Sequence, residues 1–374
     1  MKKKYILTSI ALSLLLSFML LSCNADATAG LFRQISNASA PVGIVYKQIV
    51  GLDTTAPKTL YFLTDEGLYK KSDGSISTKL VANEEGEIIQ TAYYDKGVGK
   101  VIYQTNDNTG KIYSYDLASN TKESIPISDF SAFVYVKLLP NGLVLTGDSS
   151  NNFDLYNYTT LDSAVVSIPT TLSEYDLGPV LQLSGKKHTS LSENPMLISF
   201  VNESGGYKHF YITGSTATEL DSSTSGMRFT AISVANNILY LMELDDSEGV
   251  IYKANNVADA VTTNTTFTKI HETALTYGMY AFMYGYYDSA NSVTKLITKP
   301  AGINDALYEI NIDASGVTAR NVDDGYGKYL DAAEIKDSYE KDAGKLLVAT
   351  SNNGMFEINL ATNTSSSAEN YTLD

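Results

Sequence analysis

Seven copies of one strand pattern, a near-absence of long helical periodicity, and dense Gly, Asn, Asp and Ser turns predict an all-β fold, a single propeller of seven four-stranded blades. The repeat is clearest in three segments. Tyr94-Asp95 leads to Lys100-Val101-Ile102-Tyr103-Gln104-Thr105, Tyr287-Asp288 to Lys295-Leu296-Ile297-Thr298, and Lys341-Asp342 to Lys345-Leu346-Leu347-Val348-Ala349-Thr350. Each reads as the end of one strand, a tight turn, and an apolar strand closing on a polar residue. A second recurring strand follows: Ile112-Tyr113-Ser114-Tyr115, Leu307-Tyr308-Glu309-Ile310 and Met355-Phe356-Glu357-Ile358, with weaker copies at Leu68, Leu155 and Val250.

The apolar second strands begin near Leu60, Val101, Leu143, Leu197, Leu239, Leu296 and Leu346, and residues 42–374 shared among seven units give about 48 residues each, the size of a four-stranded blade. A blade is a small twisted sheet with two apolar faces. Stacking it between neighbours around a ring buries both and leaves only short edges. The long intervals 143–197 and 239–296 also admit six or eight blades, and a pair of smaller β-domains is the other architecture.

The N-terminus reads as an export signal over residues 1–22. Lys2, Lys3 and Lys4 precede an apolar run from Ile6 to Leu21, which has the length of a signal core and is short for a membrane span. The run ends in Leu20-Leu21-Ser22-Cys23. Cys23 is the sole cysteine, so no intramolecular disulfide and no cysteine metal cluster is expected. Residues 23–41 are small and polar and read as a tether, and residues 42–374 as the propeller. Cleavage before Cys23 leaves 24 Lys and Arg against 42 Asp and Glu, a net charge of −18. Such a surface repels phosphate backbones, which excludes nucleic acid as a partner.

Leu20-Leu21-Ser22-Cys23 resembles the lipobox of bacterial lipoproteins, with a bulkier residue than usual at Leu21. The resemblance implies lipidation of Cys23 by acyl chains such as palmitate, and a bilayer as partner through that anchor. It also implies residence in the cell envelope, at the outer membrane or cell surface rather than the inner membrane. The repeat resembles bacterial propellers of the YVTN and TolB-like superfamily in blade pattern only. The Trp-Asp pair of WD repeats is absent, as is any Trp.

Candidate sites fall into three sets. Turns between second and third strands carry Asp65, Glu66, Asp107, Asp148, Glu203, Asp245, Asp246 and Asp305. They would share one rim of the ring and could form a polar binding face; the competing reading is hairpin chemistry, which favours the same residues. None has the spacing of a calcium loop, and no metal site is expected. Tyr280, Phe282, Tyr284 and Tyr286 alternate along the first strand of blade six and would form either a stacking ledge or blade-to-blade packing. His188, His209 and His271 are read as belonging to different blades, without a recurrent carboxylate partner nearby in sequence. With no Gly-x-Ser-x-Gly elbow and no phosphate-cradling loop, catalytic residues and cofactors are not expected. The sequence thus points to a non-catalytic binding or scaffolding module for an envelope protein or a glycan. The alternative is a propeller-type hydrolase or lactonase with a carboxylate and cation site in the central channel.

Overall fold

The computed structural model describes residues 45–367 apart from 56, 74, 106–110, 126–132, 160–162, 169–171, 173, 246–247, 275–281, 300–306, 331–332 and 352. Cys23, the export signal and the tether therefore lie outside the described residues. Among these, seven sheets of four antiparallel strands form the ring, each built from four strands consecutive in the chain. The first and second strands of blades one to seven are Tyr46–Asp53 and Thr59–Thr64, Ile89–Asp95 and Lys100–Thr105, Phe133–Leu138 and Leu143–Asp148, Tyr175–Gln182 and Met196–Asn202, Phe229–Ala235 and Ile238–Asp245, Phe282–Asp288 and Val293–Lys299, and Ile335–Asp342 and Lys345–Thr350. All seven apolar anchors read from the sequence, Leu60 to Leu346, fall in second strands. The blade count is seven, and neither six blades nor a pair of domains is found.

The second strands are apolar on both faces because both are buried. Val101, Ile102 and Tyr103 are fully covered, as are Leu346, Leu347 and Val348. Alternate residues of a strand point to opposite faces, so each strand feeds two cores. Seven apolar clusters result, each drawn from two consecutive blades. Between blades six and seven, Tyr284 and Ile297 meet Leu346, Val348 and Phe356. The fourth strands are outermost, and two of them, Thr121–Ser124 and Gly316–Asn321, are exposed at every residue, whereas Val166 and Ile168 of blade three are buried. Large tyrosines do the filling that Trp does in other cores. Tyr103, Tyr211, Tyr240 and Tyr326 are among the largest side chains with no appreciable exposure.

Among the described residues no strand is shared between the first and last blades. The seam is held by packing of Ile49, Leu60 and Phe62 of blade one on Leu347, Ala349 and Met355 of blade seven. Side chains also bond the free edges of inner strands. Gln48 donates to Ala92 O and accepts from Ala92 N, at 2.8 and 2.9 Å. Gln104 does the same to Val136 O and Leu138 N of blade three. At the seam, the Ile49 amide donates to Asp337 Oδ2 at 2.9 Å.

The two long intervals have structural causes. In blade four a connection of residues 183–195 joins the first and second strands. In blade five the third strand runs Glu248–Val257 and is followed by a 3₁₀ turn at Ala258–Ala260. The histidine reading needs a correction. His188 and His209 belong to the same blade, the fourth, in the long connection and in the third strand Tyr207–Thr213. Only His271, in blade five, stands apart.

Candidate functional site: the strapped axis and the rim groove

Every blade runs its strands in the same order, so second-to-third turns emerge on one face and first-to-second turns on the other. The long connection of blade four, residues 183–195, belongs to the second kind. It crosses the axis to the inner strand of blade seven. Gly185 forms a parallel bridge with Tyr339, and the Glu340 amide donates to Gly185 O at 2.9 Å. Lys186 Nζ lies 2.9 Å from Glu340 Oε1. Lys187 Nζ donates to Asp337 Oδ1 and Oδ2 at 2.8 and 2.9 Å. This second pair is nearly dry, with side-chain exposures of 8% and 16%. Farther along, Thr189 comes close to the Tyr93 hydroxyl of blade two. Buried Asn194 folds the strap back on itself, donating to His188 O at 3.2 Å.

The crossing depends on a close approach that only glycine permits. Gly185 has φ +83°, and a Cβ there would lie 3.1–3.2 Å from Leu346 and from the Glu340 backbone nitrogen and Cβ. Gly185→Ala is expected to lift the strap, at a cost of about 1–2 kcal/mol. Hydrogen exchange should then rise across residues 183–195 while the second strands stay protected; unchanged exchange there would show that the strap does not rely on this contact.

Beneath the strap the axis retains a cavity of about 210 Å³, walled by Gln182, Leu183, Lys187, Phe282, Ile335 and Asp337 among others. On the opposite, turn-bearing face a larger groove of about 540 Å³ opens between blades three and four. Its walls are Asn151, Glu174, Tyr175, Asp176, Asn202, Glu203 and Ser204. Lys208 sits 5.0 Å from the Tyr175 ring centre, fixing that aromatic wall from the side. Asn151 Nδ2 reaches Leu172 O and Tyr175 O, so the groove floor is tied to the segment entering blade four.

The rim residues divide by what they bond. Glu66 accepts from Tyr69 Oη at 2.7 Å and Lys79 Nζ at 2.9 Å, and these partners hold its carboxyl below the usual range. Asp148 accepts from the backbone of Asn152 and Ser150 and from the Asn152 amide side chain, which lowers its pKa. Both serve their own hairpins. Asp65 and Asp245 sit in the corresponding turns of blades one and five, each apart from the groove. Glu203 alone of the described set opens onto the groove. Asp107, Asp246 and Asp305 lie outside the described residues, as does Tyr280.

The remaining aromatic row faces blade seven. Phe282, Tyr284 and Tyr286 join the cluster between blades six and seven, and Tyr284 Oη accepts from the Gly344 amide at 3.1 Å. They pack blade six on blade seven, Tyr284 buried and Phe282 and Tyr286 partly exposed. The groove's Glu174 and Asp176 and the strap itself went unread in the sequence. The one available signal was the excess length between Leu143 and Leu197. Among the described residues, no group of three or more His, Cys, Asp and Glu is placed to hold a metal ion.

No protein-family model matches this chain, and no curated protein matches it. Solved structures do. The ring is similar to YCF48 from Cyanidioschyzon merolae at 12% identity and a TM-score of 0.54, over 85% of this chain and 97% of that one. It is also similar to a structure of YCF48 bound to D1 peptide, at 10% identity and a TM-score of 0.51, over 86% of this chain and 94% of that one. At these identities the likeness is one of fold: a seven-bladed propeller.

Proposed function

We propose that this chain is a lipid-anchored lipoprotein of the cell envelope whose propeller, of the YVTN or TolB-like kind, is a non-catalytic module that docks a partner protein on its turn-bearing face. The strapped axis carries the reading. A hydrolase or lactonase of this architecture would gather free carboxylates in the channel, whereas here Asp337 and Glu340 are each met by a strap lysine. An opening suited to a partner is the blade three–four groove, where Glu174, Asp176 and Glu203 would receive basic or amide-rich segments beside Tyr175. The peptide complex of a similar propeller, YCF48, fits the same mode of use.

Two measurements test it. Tagged mature protein captured from intact envelopes should bring down one stoichiometric protein, and Glu174→Lys combined with Glu203→Lys should release it without changing the melting temperature. Recovery of no partner by the unaltered chain would end the docking reading. Separately, Cys23→Ser should abolish incorporation of labelled palmitate and move the protein from membrane to soluble fractions, because the acyl chains supply the only proposed bilayer contact at about 0.8 kcal/mol per CH₂. A Cys23→Ser protein that stays on the membrane would refute the anchor.

A further inference from the structure

A recess of about 230 Å³ lies on the strap-bearing face between blades four and five, remote from the groove. It is bounded by the strap (Leu183, Glu193), by the third strand of blade four (Tyr211), and by the first-to-second and third-to-fourth connections of blade five (Asn237, Asp259). Its volume falls below the ~300–1,000 Å³ of sites for drug-sized ligands and suits one small ring.

Tyr211 gives the recess a polar demand. The residue is 1% exposed, yet its hydroxyl has no hydrogen-bond partner among the described residues. Buried hydroxyls are nearly always paired, because leaving one unpaired forfeits its hydration with nothing in return. Burial and the nearby Asp259 carboxylate hold the proton on the phenol, so the group offers a donor. The rim offers the opposite. Asp259 and Glu193 are exposed carboxylates, which only accept when ionised. Asn237 adds an amide, whose Nδ2 is 3.4 Å from Asp259 Oδ1. Leu183 and Val234 supply an apolar wall.

These demands eliminate whole classes of ligand. An anion would meet the tyrosine donor, but the Lys186 ammonium at the edge is already met by Glu340, and the Asp259 and Glu193 carboxylates would repel it. A bare metal cation would meet the carboxylates but find a donor proton at the floor. An apolar group would leave Tyr211, Asp259, Glu193 and Asn237 unanswered. A ring bearing several hydroxyls, each both donor and acceptor, with an apolar C–H face, answers all of them. We propose that this recess is a seat for a single pyranose, the terminal sugar of a glycan. The proposal is independent of the protein-docking groove, which lies on the other face.

Saturation-transfer NMR tests it on the lipidated chain held in sugar-free detergent micelles. The probes are the methyl glycosides of glucose, galactose, mannose and N-acetylglucosamine at millimolar concentration. Transfer to the ring protons of at least one glycoside is expected. Tyr211→Phe should weaken that glycoside about tenfold, the equivalent of one lost hydrogen bond. Because the phenol has no hydrogen-bond partner among the described residues, the same substitution should leave the melting temperature equal or higher, an outcome that a tyrosine bonded through its hydroxyl would not give. Tyr103→Phe, which removes a buried hydroxyl in blade two that is likewise unpaired among the described residues, should leave glycoside binding unchanged. Asp259→Asn offers a second variant on the rim and should also weaken binding. Absence of transfer from all four glycosides, or transfer undiminished in Tyr211→Phe, would overturn the proposal.

Discussion

Asp337→Ala is expected to destabilise the ring by roughly 3–5 kcal/mol. Asp337 bonds three parts of the chain at once. Its carboxylate accepts from the Ile49 amide across the blade seven–one seam, from Lys187 of the blade four strap, and from its own neighbour Ser338 N at 2.8 Å. Removing it strands an ammonium group whose side chain is 8% exposed and unpairs a backbone amide at the point where the ring closes. The largest part of the loss is that uncompensated buried charge. It follows that Lys187→Met should cost much less, and that Asp337→Leu combined with Lys187→Met should recover most of the stability, since a well-packed apolar pair can replace a buried ion pair at little cost. Urea unfolding of the two singles and the double gives the coupling directly. If Asp337→Ala and Lys187→Met prove equally mild, the strap is an ornament of the channel and not a brace across it.

The ring was legible because its signal is local and repeated. Each second strand carries enough apolar residues to mark itself, and Leu60 through Leu346 all lie where the period puts them. The third strand of blade four was the exception. Tyr207-Lys208-His209-Phe210-Tyr211 breaks the apolar pattern with Lys208 and His209, and nothing local tells that His209 is buried. The strap hid for a related reason. Gly185-Lys186-Lys187-His188 has the composition of a solvated loop, and the acid that buries Lys187 stands 150 residues farther along the chain. Ion pairs between distant segments leave no periodicity to read. The rim turns show the complementary limit. Asp148 and Glu203 occupy equivalent turns, but the first is consumed by its own hairpin amides and the second opens onto a groove. Turn chemistry and ligand chemistry draw on the same residue types, so only the bonding partners separate them.

The same buried histidine makes the fold acid-sensitive in a defined window. His209 lies between Ser199 Oγ, 2.8 Å from Nδ1, and Met227 O, 3.0 Å from Nε2, with the Tyr207 and Phe229 rings on either side. The carbonyl can only accept, so Nε2 carries the proton and Nδ1 accepts from the serine: the neutral ring satisfies both contacts. Burial pushes the imidazole pKa down from 6.5 to about 4. The unfolded chain binds a proton as pH falls through 6.5, while the folded chain does not until about pH 4. The folded state's stability is therefore complete above 6.5 and declines through that interval, by about 3 kcal/mol for this one residue. His271, half-buried, adds a smaller loss of the same sign. Carboxylates whose pKa values are lowered, such as Asp148 and Asp313, begin to weaken the fold only near the bottom of the window, below their ordinary 3.8. Ser199→Ala combined with His209→Phe replaces the pair by apolar groups and should flatten most of the slope. Urea midpoints measured at neutral pH and near ~4.5 decide it: the unaltered chain should drop sharply between them and the double variant only slightly. Parallel drops in the two proteins would place the acid sensitivity elsewhere in the ring.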